Sequence, residues 1–450
     1  METPPRSHGT QQIRANYSPV SRKIILPTAE YIHSEAVAGA LLLAAAVISL
    51  IWANSPWSAS YFALREMVIV IQIGSFSISE TFQHWVNDGL MAIFFFVVAL
   101  EIKREFIFGS LSERSKAALP IAAAIGGIVF PAVIFLLINL NGEDIQGWGI
   151  PVATDIAFAV AVIALLGDRV SDELKILLLA FAIIDDIGAI LIIAVYYTKD
   201  FSWTMIQWAA LLLGIILAVR WSGIKSIGIY VLLGALFWLA VLKSGIHATI
   251  AGVILGALTP AHSKFSLRHF ANAVERRLPW IRSAIARDEK EEVEVAVGQV
   301  EEITTETEAP LERLERLVHP WVNYTVLPIF ALTNAGFELS FDLLHKAVGS
   351  FVTLGVFFGL VFGKPLGVIC ASWLAVRFQI ASLPENVNWK QIFGVGIVGG
   401  VGFTVAIFIS ELAYEDKAQI LPLAHIGILS ASVLAALAGY GCLYLTTKEE

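Results

Sequence analysis

Runs of about twenty apolar residues recur along the whole chain, and this feature constrains its fold more tightly than any other. Twenty residues of α-helix span about 30 Å, the thickness of a bilayer's hydrocarbon core. Apolar stretches fall at 36–53, 86–101, 117–140, 148–166, 174–197, 203–219, 226–242, 246–259, 320–337, 350–376, 391–412 and 423–445. In lipid every backbone amide must bond within the chain, so stretches of this length predict helices. The expectation is an all-α polytopic membrane protein with about twelve transmembrane helices. Composition agrees: 57% of the 450 residues are hydrophobic and 15% charged, against about 25% charged in soluble domains. The mean hydropathy is +0.74.

Charge divides the polar remainder. The net charge of −8 arises largely in 288–308, where nine acids, from Asp288 to Glu308, face one base, Lys290. Such a run reads as a solvated loop, and nothing in it supports nucleic-acid binding. Cys370 and Cys442 both lie in apolar stretches, with no disulfide framework or metal-ligand spacing. Residues 1–35 are polar, carry Arg6, Arg14, Arg22 and Lys23, and lack the apolar region of a cleaved signal peptide. Lys and Arg concentrate on one side of the predicted helices. Without the long 260–319 segment the count is 15 against 5, the minority being Arg65, Lys199, Lys243, Lys346 and Lys417. The positive-inside rule then places both termini in the cytoplasm. The expected layout is a tail at 1–35, a transmembrane domain at 36–445 interrupted by a charged cytoplasmic loop at 260–319, and a short tail at 446–450.

Residues 68–79 read Val-Ile-Val-Ile-Gln-Ile-Gly-Ser-Phe-Ser-Ile-Ser. Alternation in the second half and the Gly74-Ser75 turn signal predict a small extracytoplasmic β-hairpin. The competing reading is an amphipathic stretch lying on the membrane surface.

Asp155, Asp185, Asp186 and Lys364 fall well inside apolar stretches. Unpaired and ionised, four such groups cost on the order of 10 kcal/mol. Neutral pairing that ties helices together accounts for some of them, but three acids outnumber one base. The excess points to an ion or proton pathway. Asp185 and Asp186 are adjacent, so on a helix they point about 100° apart and take different roles. One can face a water-filled cavity while the other meets Lys364.

The backbone near these charges is irregular in sequence. Pro151 precedes Thr154-Asp155 and lacks an amide hydrogen. The eleventh stretch carries Gly394, Gly396, Gly399, Gly400 and Gly402, which predicts a weak helix, although close helix packing also selects glycine. Gly126-Gly127 with Pro131, and Gly363-Lys364-Pro365, mark the flanking stretches. Two interrupted helices, one in each half, predict inverted repeats of helices 3–5 and 10–12 around a midplane site. Broken helices expose partial charges, which Asp155 at facing amino ends and Lys364 at facing carboxyl ends suit.

The chain resembles the NhaA family of sodium/proton antiporters. The resemblance is carried by Phe-Phe-Val-Val-Ala-Leu-Glu101-Ile-Lys-Arg104-Glu105, Pro151-Val-Ala-Thr154-Asp155, Ala-Ile-Ile-Asp185-Asp186-Ile-Gly, Leu-Lys-Ser-Gly-Ile-His247-Ala-Thr, His319-Pro-Trp, Thr-Asn-Ala-Gly336, Gly363-Lys364-Pro-Leu-Gly and Gly400-Val-Gly402-Phe-Thr404. Inverted repeats around a midplane site are a known property of that family, so this architecture follows from the resemblance as much as from the glycine pattern. The resemblance implies that Asp155 and Asp186 bind Na+ or Li+ in exchange for H+, that Thr154 offers an oxygen ligand, and that Asp185 pairs with Lys364. It links Glu101, Arg104, Glu105, His247, Glu315 and His319 to pH response or a cytoplasmic funnel. From the residues alone, Glu101 and Glu105 read as a charged helix end and His247 as a packing group. The resemblance further implies a homodimer joined through the hairpin, a bacterial inner-membrane location, and no cofactor beyond the transported ions. Two features depart from the family: the long acidic loop, and Arg316 where a histidine is common.

Two rivals belong to other classes. An intramembrane aspartyl protease wants Gly-x-Gly-Asp, which is absent; Gly167-Asp168 follows Leu-Leu. A sodium-coupled organic-anion symporter of related fold is the other, and the Asp185-Asp186 pair favours exchange over it. A channel suits adjacent titratable acids at helix breaks less well than alternating access does.

Overall fold

A computed structural model describes residues 35–447 apart from 75, 141, 143, 199–200, 223–226, 264–266 and most of 288–306, where only 295 and 298 are described. The amino-terminal tail, the last three residues and nearly all of the acidic run therefore lie outside the described residues.

The chain is mostly helical. Helix α1 (Glu35–Ala53) bends by 112° into α2 (Ser58–Glu66) at Asn54–Trp57. Strands β1 (Val68–Ile73) and β2 (Phe76–Thr81) follow, paired antiparallel from Val68–Thr81 to Ile73–Phe76. This is the hairpin that the alternation predicts. Gly74 has φ +62°, a conformation that costs glycine nothing and other residues more. Next come α3 (Phe82–Ile107), α4 (Arg114–Ile138), a 3-10 segment (Ile145–Val152) leading to α5 (Ile156–Ala164), α6 (Asp172–Tyr196), α7 (Trp203–Trp221), α8 (Ile227–Leu242) and α9 (Thr249–Leu258). The second half holds α10 (Leu267–Ala286), α11 (310–334), α12 (Phe341–Gly349), α13 (Phe351–Arg377), α14 (Trp389–Val398), α15 (Phe403–Ala413) and α16 (Leu421–Thr446).

Among the described residues, seven helices are long and apolar enough to cross a membrane. The count rises to nine if α1–α2 and α14–α15 each form one bent span, the latter bent by 50°. The remaining predicted stretches are helical but shorter or more polar: α8 and α9 fall below span length, and α11 begins with charged residues. The 260–319 segment is not loop throughout, because α10 and the start of α11 lie within it. Helices α2, α10 and α12 have no counterpart in the apolar pattern, being polar or amphipathic.

The long helices pack in two groups. Helices α4, α5, α6, α13, α14, α15 and α16 surround the chain breaks, while α1, α3, α7, α8, α9 and α11 stand beside them. Small residues set the closest crossings. A side chain on Gly126 would strike the Gly367 carbonyl, joining α4 to α13, and one on Gly252 would strike the Ala92 carbonyl, joining α9 to α3. Without a hydrophobic drive between helices in lipid, this backbone approach supplies the attraction. Outward faces stay apolar and exposed, as at Val195, Trp221, Leu437 and Leu445.

The flanking stretches keep their helices despite their glycines and prolines. Helix α4 runs unbroken through Gly126, Gly127 and Pro131, and α13 is widened rather than broken, by a π turn at Gly359–Gly363. Pro365 accounts for the widening, since it has no amide to close the preceding α-helical turn. In the eleventh stretch the expected interruption is present at 399–402, and the glycines also serve close packing. Gly394 and Gly396 sit within regular α14, and none of the five has a positive φ. Side chains there would meet Leu443, Pro365, Phe181, Leu360 and Ala406 in order, so close approach is what selects glycine.

Candidate functional site

Two breaks in the backbone meet at the centre of the first helix group. After the 3-10 segment containing Pro151, residues Ala153 to Asp155 are extended, and Asp155 caps α5 by accepting from the Phe158 amide at 3.0 Å. In the other half, Gly399–Gly402 separate α14 from α15. The two breaks bind each other. The Asp155 amide donates to the Val401 carbonyl at 2.7 Å, and the Thr154 hydroxyl donates to the Gly399 carbonyl at 2.7 Å. The Asp155 carboxylate then accepts from the Thr404 amide at 3.0 Å and the Thr404 hydroxyl at 2.5 Å. Asp155 thus stands at the amino ends of both α5 and α15, where two sets of positive partial charge favour a carboxylate. It is 2% exposed.

Helix α6 presents the other two acids. Lys364 donates to Asp185 Oδ2 at 2.5 Å, with both side chains fully buried. The Lys364 ammonium also lies 5.6 Å from the centre of the Phe181 ring, one turn before Asp185. Asp186 points elsewhere, as the 100° offset requires. Neither of its carboxylate oxygens has a hydrogen-bond partner among the described residues, and it is 2% exposed. It feels the charges of Asp185, Glu101 and Asp155. Asp155, Thr154, Asp185, Asp186 and Lys364 therefore gather in one place, while Gly399, Gly400 and Gly402 line the crossing. Pro151 supports it from behind, packed where a side chain on Gly359 would fall.

A second cluster lies near the end of α3 remote from the hairpin. Glu101 is 3.3 Å from His319, and Arg104 forms an ion pair with Glu315. Burial pushes the Glu315 carboxyl above its usual range, and the Arg104 guanidinium works against that shift. Glu105 takes a different part: its carboxylate accepts from the amide and hydroxyl of Ser110 at 2.6 Å and ties down the turn after α3. His247 does not join the cluster. Its ring bonds the Tyr197 carbonyl at 2.8 Å, at the far end of α6. Arg316 turns away to pair with Glu308.

Sequence reading missed Thr404 as a partner of Asp155, although it follows the glycine run directly. It also missed Glu411 and His425, which lie in apolar helices on the hairpin side. A carboxylate inside an apolar run was the available signal for Glu411. Among the described residues no group of three or more His, Cys, Asp or Glu side chains could hold a metal ion.

The profile of the family described as Na+/H+ antiporter 1 matches residues 29–443. The chain is 43% identical over 422 residues to Na+/H+ antiporter NhaA 1 of Saccharophagus degradans, covering 93% of this chain and 91% of that protein. It is 44% identical over 425 residues to Na+/H+ antiporter NhaA of Oleidesulfovibrio alaskensis, covering 93% of each. It is 42% identical over 423 residues to Na+/H+ antiporter NhaA of Rhodopirellula baltica, covering 94% of each.

Proposed function

The chain belongs to the Na+/H+ antiporter 1 family, and from that premise we propose that it extrudes Na+, and Li+ by the same chemistry, in exchange for external H+. Members of this family are membrane transporters and not enzymes, and the spans of this chain make it a multi-pass membrane protein. The family match supports neither the symport nor the protease reading.

One observation carries the reading. Asp186 is buried with both carboxylate oxygens unpartnered among the described residues, while its neighbour Asp185 pairs with Lys364. An ionised group at membrane depth is costly unless neutralised. Asp186, with Asp155 close by, therefore alternates between proton and cation. Thr154, Thr404 and the carbonyls of the two breaks supply oxygen atoms around the exchanged ion. Lys364 holds Asp185 aside, so that one acid of the adjacent pair is structural and the other is free to exchange. Net charge moves, with about two protons per Na+, if Asp155 and Asp186 both release protons when Na+ binds. Activity at neutral to alkaline pH follows, because protons compete for the same oxygens.

We place the protein in the inner membrane of a bacterium with both termini cytoplasmic, following the Lys and Arg distribution. Twelve spans and an inverted repeat of helices 3–5 and 10–12 are consistent with the facing breaks at Asp155 and Gly402. A homodimer joined through the hairpin is consistent with the exposed Val68, Val70 and Ile71 side chains. The deciding experiment follows a pH gradient in inside-out vesicles while Na+, Li+ or K+ is added. Na+ and Li+ are expected to dissipate the gradient and Asp186→Asn to abolish the effect; full exchange in that variant would remove Asp186 from the mechanism.

A further inference from the structure

A polar network stands apart from the crossing, at the hairpin end of the molecule. Glu411 lies on α15, the helix whose amino end Asp155 caps. Thr404, Phe408 and Glu411 are spaced i, i+4 and i+7, so they form one stripe. Seven residues of helix advance about 10 Å, which sets Glu411 roughly two turns beyond the Asp155 carboxylate. Between them Phe408 packs against Phe95 of α3 and Phe330 of α11, at ring distances of 5.6 and 6.1 Å. All three phenylalanines are fully buried. They lie between Asp155 and the polar groups on the hairpin side.

Beyond this aromatic layer the groups are polar, with Asn334 and His425 buried and Gln83, Asn87 and Glu411 partly buried. Gln83, at the start of α3, donates to Glu411 Oε2 at 3.2 Å and to Asn334 Oδ1 at 3.0 Å. Asn334 in turn donates to Asn87 Oδ1 at 2.8 Å. Among the described residues the other Glu411 oxygen has no hydrogen-bond partner and neither ring nitrogen of His425 has one, although Nε2 is 3.8 Å from that oxygen. His425 is 2% exposed. Arg65 of α2, held by the Gly336 carbonyl at 3.2 Å, acts on Glu411 through space. The exchange mechanism above uses none of these residues.

We propose that Glu411 is a second cation-binding carboxylate for the exchanged Na+, on the hairpin side of a seal formed by Phe95, Phe330 and Phe408. The inference rests on the exchange reading and extends it to the route by which the ion leaves. The chemistry fits: among the described residues one oxygen of the Glu411 carboxylate is free of hydrogen bonds, and a carboxylate oxygen is the kind of ligand a hard cation takes. The network also joins the two helix groups, since Gln83 and Asn334 belong to one and Glu411 and His425 to the other. Movement of one group against the other opens the aromatic layer and breaks the Gln83 contact in the same step. A cation leaving Asp155 and Asp186 then meets Glu411 before water.

Sidedness provides the test. Na+-dependent exchange is measured in right-side-out and inside-out vesicles for wild type, Glu411→Gln and Asp186→Asn. Glu411→Gln is expected to raise the apparent KM for Na+ supplied from the hairpin side about tenfold, and to leave the KM from the opposite side unchanged. Equal shifts from both sides, or no shift from either, overturn the proposal. Asp186→Asn separates the two ideas: it loses exchange from both sides if the central site is assigned correctly, whatever Glu411 does. If Glu411→Gln does not accumulate, Glu411→Asp keeps the charge on a shorter arm. It is then expected to give a smaller shift confined to the hairpin side, and an unshifted KM there counts against the site.

Discussion

The Asp155 carboxylate accepts two hydrogen bonds from Thr404, one from its amide and one from its hydroxyl, across 249 residues of sequence. This contact makes each chain break depend on the other. Asp155 caps its own helix through the Phe158 amide and the opposing helix through the Thr404 amide, so each amino end has one of its free amides satisfied by the same carboxylate. In the proposed exchange, the same atoms that hold the crossing together are those offered to the transported ion.

Thr404→Val is therefore expected to lower exchange while leaving the fold intact. The amide contact survives and the hydroxyl contact is lost, a change worth about 1.5–3 kcal/mol for a bond to a charged group. Thr404→Ser keeps the hydroxyl and should retain most activity. Sodium-dependent pH changes in vesicles check both, and a Val variant as active as wild type would show that the hydroxyl is idle.

Much of this arrangement was legible in the sequence, for physical reasons. A charge inside an apolar run is expensive, so Asp155, Asp185, Asp186 and Lys364 announced themselves. Helical geometry required Asp185 and Asp186 to diverge, and they do. What remained hidden depends on contacts distant in sequence. Local spacing says nothing of Thr404 turning toward Asp155. Glycine composition could not separate the break at 399–402 from the tight packing of Gly394 and Gly396 inside α14. His247 matched a family motif, yet its placement at the Tyr197 carbonyl is set by how α6 and α9 end. Helices α2, α10 and α12 carry too much polarity to register as apolar stretches.

The Lys364–Asp185 pair calls for a double-mutant cycle. Both partners are fully buried, so Lys364→Ala leaves an uncompensated carboxylate and is expected to cost about 3–5 kcal/mol. Lys364→Met combined with Asp185→Leu should recover most of that loss, because an apolar pair needs no mutual neutralisation. Melting temperatures in detergent report the result. Single variants as stable as wild type would show that the contact carries no weight.

Arg104 and Glu315 give a pH-dependent signature. Burial raises the Glu315 carboxyl, so the folded protein holds that proton more tightly than the unfolded chain does. The stability this contributes is present at low pH and lost as pH rises through the folded value. Arg104 offsets the loss by pairing with the ionised form. Arg104→Gln should then be destabilised relative to wild type by an amount that grows with pH, about 1 kcal/mol after screening at the exposed guanidinium. Its exchange profile should move in the alkaline direction. Adding Glu315→Gln should remove the pH dependence of the difference, and a gap constant across pH would separate this pair from pH response.

The hairpin lends itself to deletion. Strands β1 and β2 form a two-stranded ribbon with exposed apolar side chains and open edges, which favours pairing with a second copy. A chain with this segment replaced by a short Gly-Ser linker should run as a monomer in mild detergent and still exchange Na+ for H+. Light scattering of the purified protein measures the mass, and a deletion variant that stays dimeric would place the interface elsewhere.

The last prediction concerns charge movement. In the proposed mechanism Lys364 neutralises Asp185, which leaves Asp155 and Asp186 as the two carboxylates that trade protons for one Na+. If both release protons on binding, about two protons cross for each Na+, and each cycle carries one net charge. The membrane potential contributes about 2.3 kcal/mol per charge per 100 mV, enough to expel Na+ against a gradient of more than tenfold. Proteoliposomes clamped with potassium and valinomycin isolate this contribution. Exchange should accelerate with one sign of potential and slow with the other, and the end-point Na+ ratio should shift with the imposed voltage. Asp155→Asn leaves a single exchangeable carboxylate, so any residual exchange in that variant should be insensitive to voltage. Wild-type rates and end-points indifferent to potential would mean one proton per Na+, and the two-carboxylate mechanism would then be abandoned in favour of Asp186 acting alone.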